Sequence, residues 1–274
     1  MAAGALPAHG PGHYGVVAER DAAESNEVPA GTCPFSIARP VMRQRWDRLT
    51  FLHWRFEPDE VGRLLPPGLE PDLFDGSAWV GLVPFYMHVA TSGGRMLPWV
   101  SRFAETNIRT YVRNPDGVTG IWFFSLDAAR LGAVAVARTT YRLPYFWSSM
   151  RVDGGTDAGE AGGGGAISYT CQRRLPGPAA SSLVRVAIGE RISAAELDAR
   201  DHFLTARWIL FSVAGSRRRL ARACHEPWPL HRAQASTVDD RLLTAAGLPA
   251  PVGAPLVHYS PGVDVAIGRP ERCR

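Results

Sequence analysis

Two Asp-Gly turns constrain the fold of this chain more than any other feature of its sequence. Asp75–Gly76 separates a short apolar stretch from a longer one at 77–89. The turn N-P-D-G at 114–117 separates ETNIRTYV, residues 105–112, from GIWFFSL at 120–126. Because Asp-Gly suits the positive φ angles of tight hairpin turns, each pair of stretches is predicted to form an antiparallel β-hairpin.

Few helices are predicted beside these hairpins. Alternating or apolar stretches predict further strands at 46–56, 168–174, 183–188, 207–212, 220–225 and 256–265. The predicted helices begin at Pro58, at Asp127 as an N-cap for 128–141, and at 194 for a short helix ending at 200. This pattern predicts an α+β fold, mainly antiparallel β and partly closed, with a few flanking helices.

The chain is predicted to contain one domain. Its 274 residues are 46% hydrophobic and 20% charged, which is globular composition, and mixed β folds of this length often form a single domain. Residues 1–38, rich in Ala, Gly, Pro and Glu, are predicted to be a disordered leader. We expect the single domain over 39–267 and a frayed tail at 268–274.

The 30 basic residues are all Arg, and the sequence contains no Lys. Schiff bases with carbonyl substrates or pyridoxal phosphate need a side-chain amine. Mechanisms of that kind on a Lys side chain are therefore excluded. No dinucleotide fingerprint is found either, so no cofactor is predicted.

Charge and hydropathy patterns argue against several kinds of partner. The formal net charge is only +4, and no stripe of basic and aromatic residues suggests nucleic-acid binding. No apolar run approaches the ~18 residues that span a membrane. The stretch H-E-P-W-P-L-H at 225–231 lacks zinc-ligand spacing, so no metal site is predicted. The sequence leaves open a homo-oligomer formed through an exposed edge strand.

The four cysteines, at 33, 171, 224 and 273, include no C-x-x-C pair. In a chain of this length they are predicted to be free thiols in a reducing compartment. The first ten residues lack the charged start and apolar core of a signal peptide. A cytoplasmic location is therefore expected.

One face of the strand predicted at 105–112 carries only large polar groups, which are Glu105, Asn107, Arg109 and Tyr111. The strand rise places Glu105 and Arg109 roughly 13 Å apart, too far for an ion pair within the strand. The face either lies in solvent with cross-strand ion pairs, or points into a polar cavity of a closed barrel.

Several motifs occur in the order found in a known bacterial family. They are W-D-R-L-T-F-L-H-W at 46–54, L-L-P-P-G-L at 64–69, F-D-G-S-A-W-V-G-L-V-P-F at 74–85, the E-T-N-I-R-T-Y-V stretch, G-I-W-F-F-S-L-D-A at 120–128, L-P-Y at 143–145, H-E-P-W-P-L at 225–230 and H-Y-S-P-G-V-D-V at 258–265. Over about 42–267 the chain resembles the uncharacterised YqjF-like family.

This family is similar in fold to acetoacetate decarboxylase, so the resemblance implies a cone-like antiparallel β structure with a ligand cavity. The decarboxylases use a Lys after a Pro to form a Schiff base, and acidic residues from an earlier strand. The comparable stretch here is L-P-Y-F at 143–146, which places Tyr145 where the Lys would be. Glu105 is the corresponding candidate for an acidic cavity residue. Fold resemblance implies chemistry only weakly.

These features predict a cavity that binds a small carboxylate or carbonyl compound. Glu105 and Tyr145 are the candidate catalytic residues, and the candidate binding residues are Asn107, Arg109, Tyr111 and Trp122. Such a set suits a lyase or isomerase that uses acid–base chemistry without a Schiff base. A non-catalytic binding or regulatory module, and a partner-binding protein with a fully packed interior, are the alternatives.

Overall fold

A computed structural model describes residues 31–91, 93, 101–132, 134, 142–155, 165–215 and 217–273. Thirteen strands are defined in these ranges: β1 Met42–Phe56, β2 Glu70–Pro71, β3 Ala78–Thr91, β4 Arg102–Arg113, β5 Thr119–Ala128, β6 Tyr145–Gly154, β7 Gly165–Leu175, β8 Ser181–Arg191, β9 Ile209–Ala214, β10 Arg217–His225, β11 His231–Asp240, β12 Leu256–Ile267 and β13 Glu271–Arg272. Three short α-helices have defined bounds, α1 Pro58–Gly62, α2 Ala199–Thr205 and α3 Leu242–Ala245, and the helix predicted at 194–200 is a 3₁₀ turn at Ala194–Glu196 followed by the start of α2.

The strands form a closed barrel of nine members, in the order β5-β6-β7-β8-β11-β12-β1-β3-β4 and back to β5. A second closed path uses β9 and β10 to join β5 to β12, which gives a ring of seven strands. The two rings share β12, β1, β3, β4 and β5. Most pairings are antiparallel, whereas β5 pairs in parallel with both β6 and β9. The predicted fold class is confirmed.

The two Asp-Gly turns adopt the conformations that their sequences predict. Asp75 and Gly76 have φ angles of 50° and 72°, and Phe74 pairs with Ser77 across them. Positive φ at both central residues is the signature of a type I′ hairpin turn. In the second turn, Gly117 has a φ of 79° and its amide donates to the Asn114 carbonyl oxygen at 3.0 Å. The second turn joins β4 and β5 as a hairpin. The hairpin predicted across the first turn is wrong beyond the Phe74–Ser77 pair, because β2 pairs with β4 and not with β3.

The shared strands present one face to each ring, because successive side chains point to opposite sides of a strand. Ile108 of β4 belongs to the hydrophobic cluster that also contains residues of β7 and β8, inside the nine-stranded ring. Phe103 and Tyr111 of β4 belong to another cluster, on the side of α2, β10 and Trp228. Strand β4 therefore forms a wall of two separate interiors.

The predicted helix after Asp127 is wrong at its start. Strand β5 continues through Ala128, and Asp127 is a fully buried strand residue bonded to Arg173 and Ser148. That buried ion pair, distant in sequence, determines the conformation instead of the local capping preference. Residues 131, 132 and 134 are helical, and the rest of the predicted helix lies outside the described residues. Neither β6 nor β11 was predicted.

The cysteine prediction is wrong for one pair, because Cys33 and Cys224 form a disulfide. These residues are 191 positions apart in sequence, and their proximity arises only from the folded topology. Cys171 and Cys273 are free. The disulfide removes the cysteine-based support for a reducing compartment, and the cytoplasmic location stays a prediction.

Both segments expected to lack order have described parts. Within the predicted leader, residues 1–30 lie outside the described residues, whereas 31–38 are described and are attached through the disulfide of Cys33. Within the predicted frayed tail, β13 pairs with Arg219 and Leu220 of β10. The described residues therefore extend beyond 39–267 at both ends.

Candidate active site

A cavity of about 260 Å³ lies inside the seven-stranded ring. Its wall is mainly apolar, and its principal apolar contributors from the shared strands are Leu49, Val83, Phe85, Phe103, Phe123 and Leu126. The polar side chains on this wall are few, as in most small-molecule sites. The cavity contradicts the alternative of a partner-binding protein with a fully packed interior.

The polar face of β4 points inward. Glu105, Asn107 and Arg109 all line the cavity, and each is at most 6% exposed. Their strand neighbours Thr106, Ile108 and Thr110 point to the other side and are equally buried. The structure therefore supports the cavity interpretation of this face over the solvent-exposed one.

Glu105 and Tyr145 meet at one part of the cavity. The Tyr145 hydroxyl donates a hydrogen bond to Glu105 Oε2 at 3.1 Å. Burial raises the pKa of Glu105 to about 8, the Tyr145 hydrogen bond opposes this rise, and the nearby Asp127 charge adds to it. At neutral pH the carboxyl group is therefore mainly protonated, and it can donate a hydrogen bond to a ligand oxygen.

Arg109 is a buried guanidinium at a second part of the cavity. Its Nη2 donates to the Leu204 carbonyl oxygen at 3.2 Å and to the Tyr111 hydroxyl at 3.4 Å. The guanidinium also lies 5.2 Å from the ring centroid of Phe51. Among the described residues, no carboxylate pairs with Arg109, and its Nε has no hydrogen-bond partner. The positive charge of Arg109 therefore has no counter-ion among the residues that the structure describes.

The Leu204 carbonyl belongs to the last turn of α2, where helix carbonyls have no partner within the helix. This is why it can accept from both Arg109 and Tyr111. The Tyr111 hydroxyl donates to Leu204 O at 2.5 Å. No sequence pattern predicted this contribution from a backbone atom 95 residues away from Arg109.

Tyr111 does not line the cavity, although it was predicted to bind ligand. It is fully buried behind Arg109, and its hydroxyl lies 2.6 Å from His53 Nε2. Since the single Tyr111 proton goes to Leu204 O, His53 Nε2 must be the donor in this contact. Burial, followed by the Arg109 charge, lowers the pKa of His53 well below its ordinary value, so the imidazole is neutral. Tyr111 therefore positions Arg109.

Asn107 lies between these two parts of the cavity on β4. Its Oδ1 is buried and has no hydrogen-bond partner among the described residues. Buried polar groups in native proteins are nearly always paired, with protein, water or ligand. The amide is consequently a candidate to contact the middle of a bound molecule.

Trp122 does not line the cavity, which corrects its prediction as a binding residue. Its strand neighbours Ile121 and Phe123 face the cavity, whereas Trp122 points to the other side of β5. There it packs against a small cluster that contains Leu69, Val112 and Phe211. Strand alternation would have excluded Trp122 once Phe123 was assigned to the cavity.

A buried ion pair lies across β5 from the cavity. Arg173 donates to both carboxylate oxygens of Asp127, at 2.8 and 2.6 Å, and Ser148 donates to Asp127 Oδ1 at 2.7 Å. The Arg173 guanidinium lies 3.8 Å from the Phe146 ring centroid. Both carboxylate oxygens of Asp127 therefore have protein partners, unlike Asn107 Oδ1 in the cavity.

No group of three or more metal-ligating side chains occurs among the residues that the structure describes. Within the same ranges, no helix has the length and apolar character to cross a membrane.

Comparisons with solved structures confirm the fold. The protein is similar to the enduracididine biosynthesis enzyme MppR complexed with pyruvate, with a TM-score of 0.60 and 16% identity, over 86% of this chain and 92% of that one. An acetoacetate decarboxylase matches with a TM-score of 0.56 and 14% identity, over 85% and 89%. An acetoacetate decarboxylase-like enzyme from Sphingomonas wittichii RW1 matches at 0.58 and 12%, over 88% and 96%. At these identities the likeness shows the fold alone.

Comparisons of sequence identify the family. The uncharacterized protein YqjF of Bacillus subtilis (strain 168) is 33% identical over 226 residues, which are 82% of this chain and 89% of that protein. The model of DUF2071, an uncharacterized conserved protein family, matches residues 43–264. The YqjF-like resemblance of the motifs is thereby confirmed, and the chain belongs to the DUF2071 family.

Proposed function

We propose that the protein binds a small organic acid with a carbonyl group in this cavity, and that it is a lyase or isomerase working without a Schiff base. In this proposal the ligand carboxylate pairs with Arg109, and Glu105 and Tyr145 perform the proton transfers. The observation that carries it is the buried Arg109 guanidinium without a carboxylate partner among the described residues.

An unpaired buried charge is costly, because burial removes its hydration without supplying a counter-ion. The nearby Arg207 illustrates the usual solution: it is also largely buried, and it pairs with Asp72 at 2.8 Å. A planar guanidinium binds a carboxylate through two parallel hydrogen bonds. A ligand carboxylate would therefore supply Arg109 with the partner that Asp72 supplies to Arg207.

The protonated Glu105 carboxyl supports an acid role at neutral pH. It would donate its proton toward a ligand carbonyl oxygen as negative charge develops there, and the Tyr145 hydroxyl would hold the carboxylate that remains. The raised pKa places proton uptake and release near physiological pH. This acid role suits addition of water to the carbonyl group. In enolisation or retro-aldol cleavage the ionised form of Glu105 would instead take the proton from carbon or from the hydroxyl group, and none of these reactions needs Lys.

The structural neighbours favour a carbonyl acid as the class of ligand. One structure of the enzyme MppR contains pyruvate, and another contains the condensation product of pyruvate and imidazole 4-carboxaldehyde. The present chain has no Lys. Borohydride reduction in the presence of oxo acids should consequently leave no adduct on any side chain, as measured by intact-mass spectrometry.

The binding site is tested by comparing Arg109→Gln with Arg185→Gln, which alters an exposed arginine of β8. Hydrogen bonds to a charged group contribute about 1.5–3 kcal/mol, so Arg109→Gln should weaken carboxylate binding roughly 10- to 150-fold. Arg185→Gln should not change it. The measurement is ligand-induced stabilisation in thermal unfolding, with the methyl ester of each acid as an uncharged control.

Equal stabilisation of the parent and Arg109→Gln by every acid would refute the site. Nuclear magnetic resonance of the same mixtures then separates enzyme from binder. Exchange of protons beside the carbonyl, or appearance of a product, supports the enzyme. Arg109-dependent stabilisation without either change supports the non-catalytic binding module.

A further inference from the structure

The cavity has two polar groups that are well separated along β4. Glu105 and Arg109 lie four residues apart on the same strand face, which places their Cα atoms roughly 13 Å apart. The Arg109 guanidinium extends along the strand away from Glu105. Arg109 contacts Tyr111, which is farther along the strand from Glu105, and Glu105 contacts Tyr145 of β6.

Asn107 and apolar side chains occupy the interval between these two polar groups. Val83 and Leu126 lie directly opposite Asn107 on the neighbouring strands, and both line the cavity. Phe85 lies opposite Glu105, and Phe123 lies opposite Arg109. The middle of the cavity therefore suits a hydrocarbon segment, with the unpaired Asn107 Oδ1 as its polar contact in that interval.

A molecule that contacts both polar groups must be elongated. We take the Cα–Cα separation of roughly 13 Å as the distance between the two polar groups. If a hydrogen bond at each end covers about 3 Å of it, roughly 7 Å remains between the two polar functions of the ligand. Two directly bonded carbons span only about 1.5 Å, so pyruvate reaches one group and leaves the other unpaired. The cavity volume of about 260 Å³ equals that of about nine waters at ~30 Å³ each, enough for about ten non-hydrogen atoms.

We infer that the ligand is a linear oxo acid whose carboxylate and oxo carbons are separated by about five carbon–carbon bonds, with the carboxylate on Arg109 and the oxo group at Glu105 and Tyr145. This inference rests on the proposed function, and it specifies which acids the site selects. It sets the ligand apart from the short 2-oxo acid that the structural neighbour MppR is seen to hold.

The test is a length series measured by isothermal titration calorimetry on the unmodified protein. The ligands are pyruvate, 4-oxopentanoate, 6-oxoheptanoate and 8-oxononanoate, with heptanoate as the acid that lacks the oxo group. One added hydrogen bond contributes about 0.5–1.5 kcal/mol, and each buried CH₂ adds to it, so 6-oxoheptanoate should bind at least tenfold more tightly than pyruvate. It should also bind roughly two- to tenfold more tightly than heptanoate.

Variants then assign the two ends of the ligand. Arg109→Gln should weaken every acid in the series, whereas Glu105→Leu should weaken 6-oxoheptanoate and leave heptanoate unchanged. Equal or tighter binding of pyruvate, if it is lost in Arg109→Gln, overturns the length inference while the proposed site stands. Failure of every acid to show Arg109-dependent binding overturns the proposed function and the inference together. The length series decides even if Glu105→Leu does not fold.

Discussion

Two buried arginines, on opposite sides of the same sheet, have contrasting surroundings. Arg173, in the nine-stranded ring, has both oxygens of Asp127 within 2.8 Å and an aromatic ring against its guanidinium. Arg109, in the seven-stranded ring, has a carbonyl, a phenol and aromatic faces, and no carboxylate among the described residues. One interior supplies a counter-ion for its buried charge, and the described residues of the other supply none for Arg109.

This difference teaches that burial alone does not separate a structural residue from a binding residue. Arg173 and Arg109 are 2% and 5% exposed, so their exposures are nearly the same. What differs is whether the surrounding protein supplies the counter-ion. An unpaired buried charge that lines a cavity is therefore the more informative sign of a binding site.

The largest expected effect comes from breaking the satisfied pair. Arg173→Leu leaves Asp127 buried without its partner and should lower the free energy of unfolding by about 3–5 kcal/mol. Arg109→Leu removes a charge that has no counter-ion, and should leave the free energy of unfolding without ligand unchanged or higher. Urea unfolding followed by tryptophan fluorescence measures both.

The double variant Arg173→Leu with Asp127→Leu is the control for this comparison. It removes both charges and should recover much of the lost stability, since replacing a buried pair is often nearly neutral. A larger loss of stability in Arg109→Leu than in Arg173→Leu would show that the contrast between the two arginines is wrong.

The next effect is the pH dependence of stability that Glu105 introduces. Burial raises its pKa from the ordinary 4.5 to about 8 in the folded protein. Folding therefore retains a proton that the unfolded chain loses between these pH values. The stabilisation from this group is complete below pH 4.5 and is lost as pH rises to about 8.

Glu105→Gln isolates this contribution, because the amide does not titrate and its oxygen still accepts from Tyr145. Between pH 5 and 8 the parent should lose about 1.4 kcal/mol per pH unit relative to Glu105→Gln, when unfolding free energies are compared. The exposed Glu190→Gln serves as the matched control and should run parallel to the parent. A constant difference between the parent and Glu105→Gln across this range would contradict the proton assignment.

The smallest effect separates the two faces of β5. Phe123 lines the cavity opposite Arg109, whereas Trp122 points away from it. Phe123→Leu should weaken acid binding by about 0.5–1 kcal/mol, or roughly two- to fivefold in Kd. Trp122→Phe should leave the Kd unchanged, and calorimetric titration of both variants checks this. A loss of affinity in Trp122→Phe alone would show that the ligand binds on the Trp122 face of β5 and not in the cavity.

Local sequence predicted the two turns and the β4–β5 hairpin, because turn chemistry and alternation act over a few residues, whereas β2 pairs with β4 and not across the first turn with β3. Asp75–Gly76 and the polar alternation of 105–112 each led to the correct local structure. Alternation also placed Glu105, Asn107 and Arg109 on one face. It did not identify which face was enclosed; the family resemblance favoured the cavity, and the structure places these side chains in it.

The features that sequence did not predict all depend on contacts between distant segments. Asp127 looked like a helix cap because its partner Arg173 is 46 residues away. Cys33 and Cys224 come together only through the folded topology. Leu204 contributes a backbone oxygen, which no side-chain pattern identifies. The roles of Glu105 and Tyr145 in catalysis stay predictions.

Strand β4 is a wall of both rings, and this restricts which mutations the protein can accept during evolution. A shift of one residue in its pairing would exchange the two faces, placing Ile108 in the cavity and Arg109 in the packed barrel. Insertions and deletions within β4 are therefore expected to prevent folding. Within β4, the cavity wall can therefore change only by replacement of alternate side chains, while the intervening residues stay apolar or small.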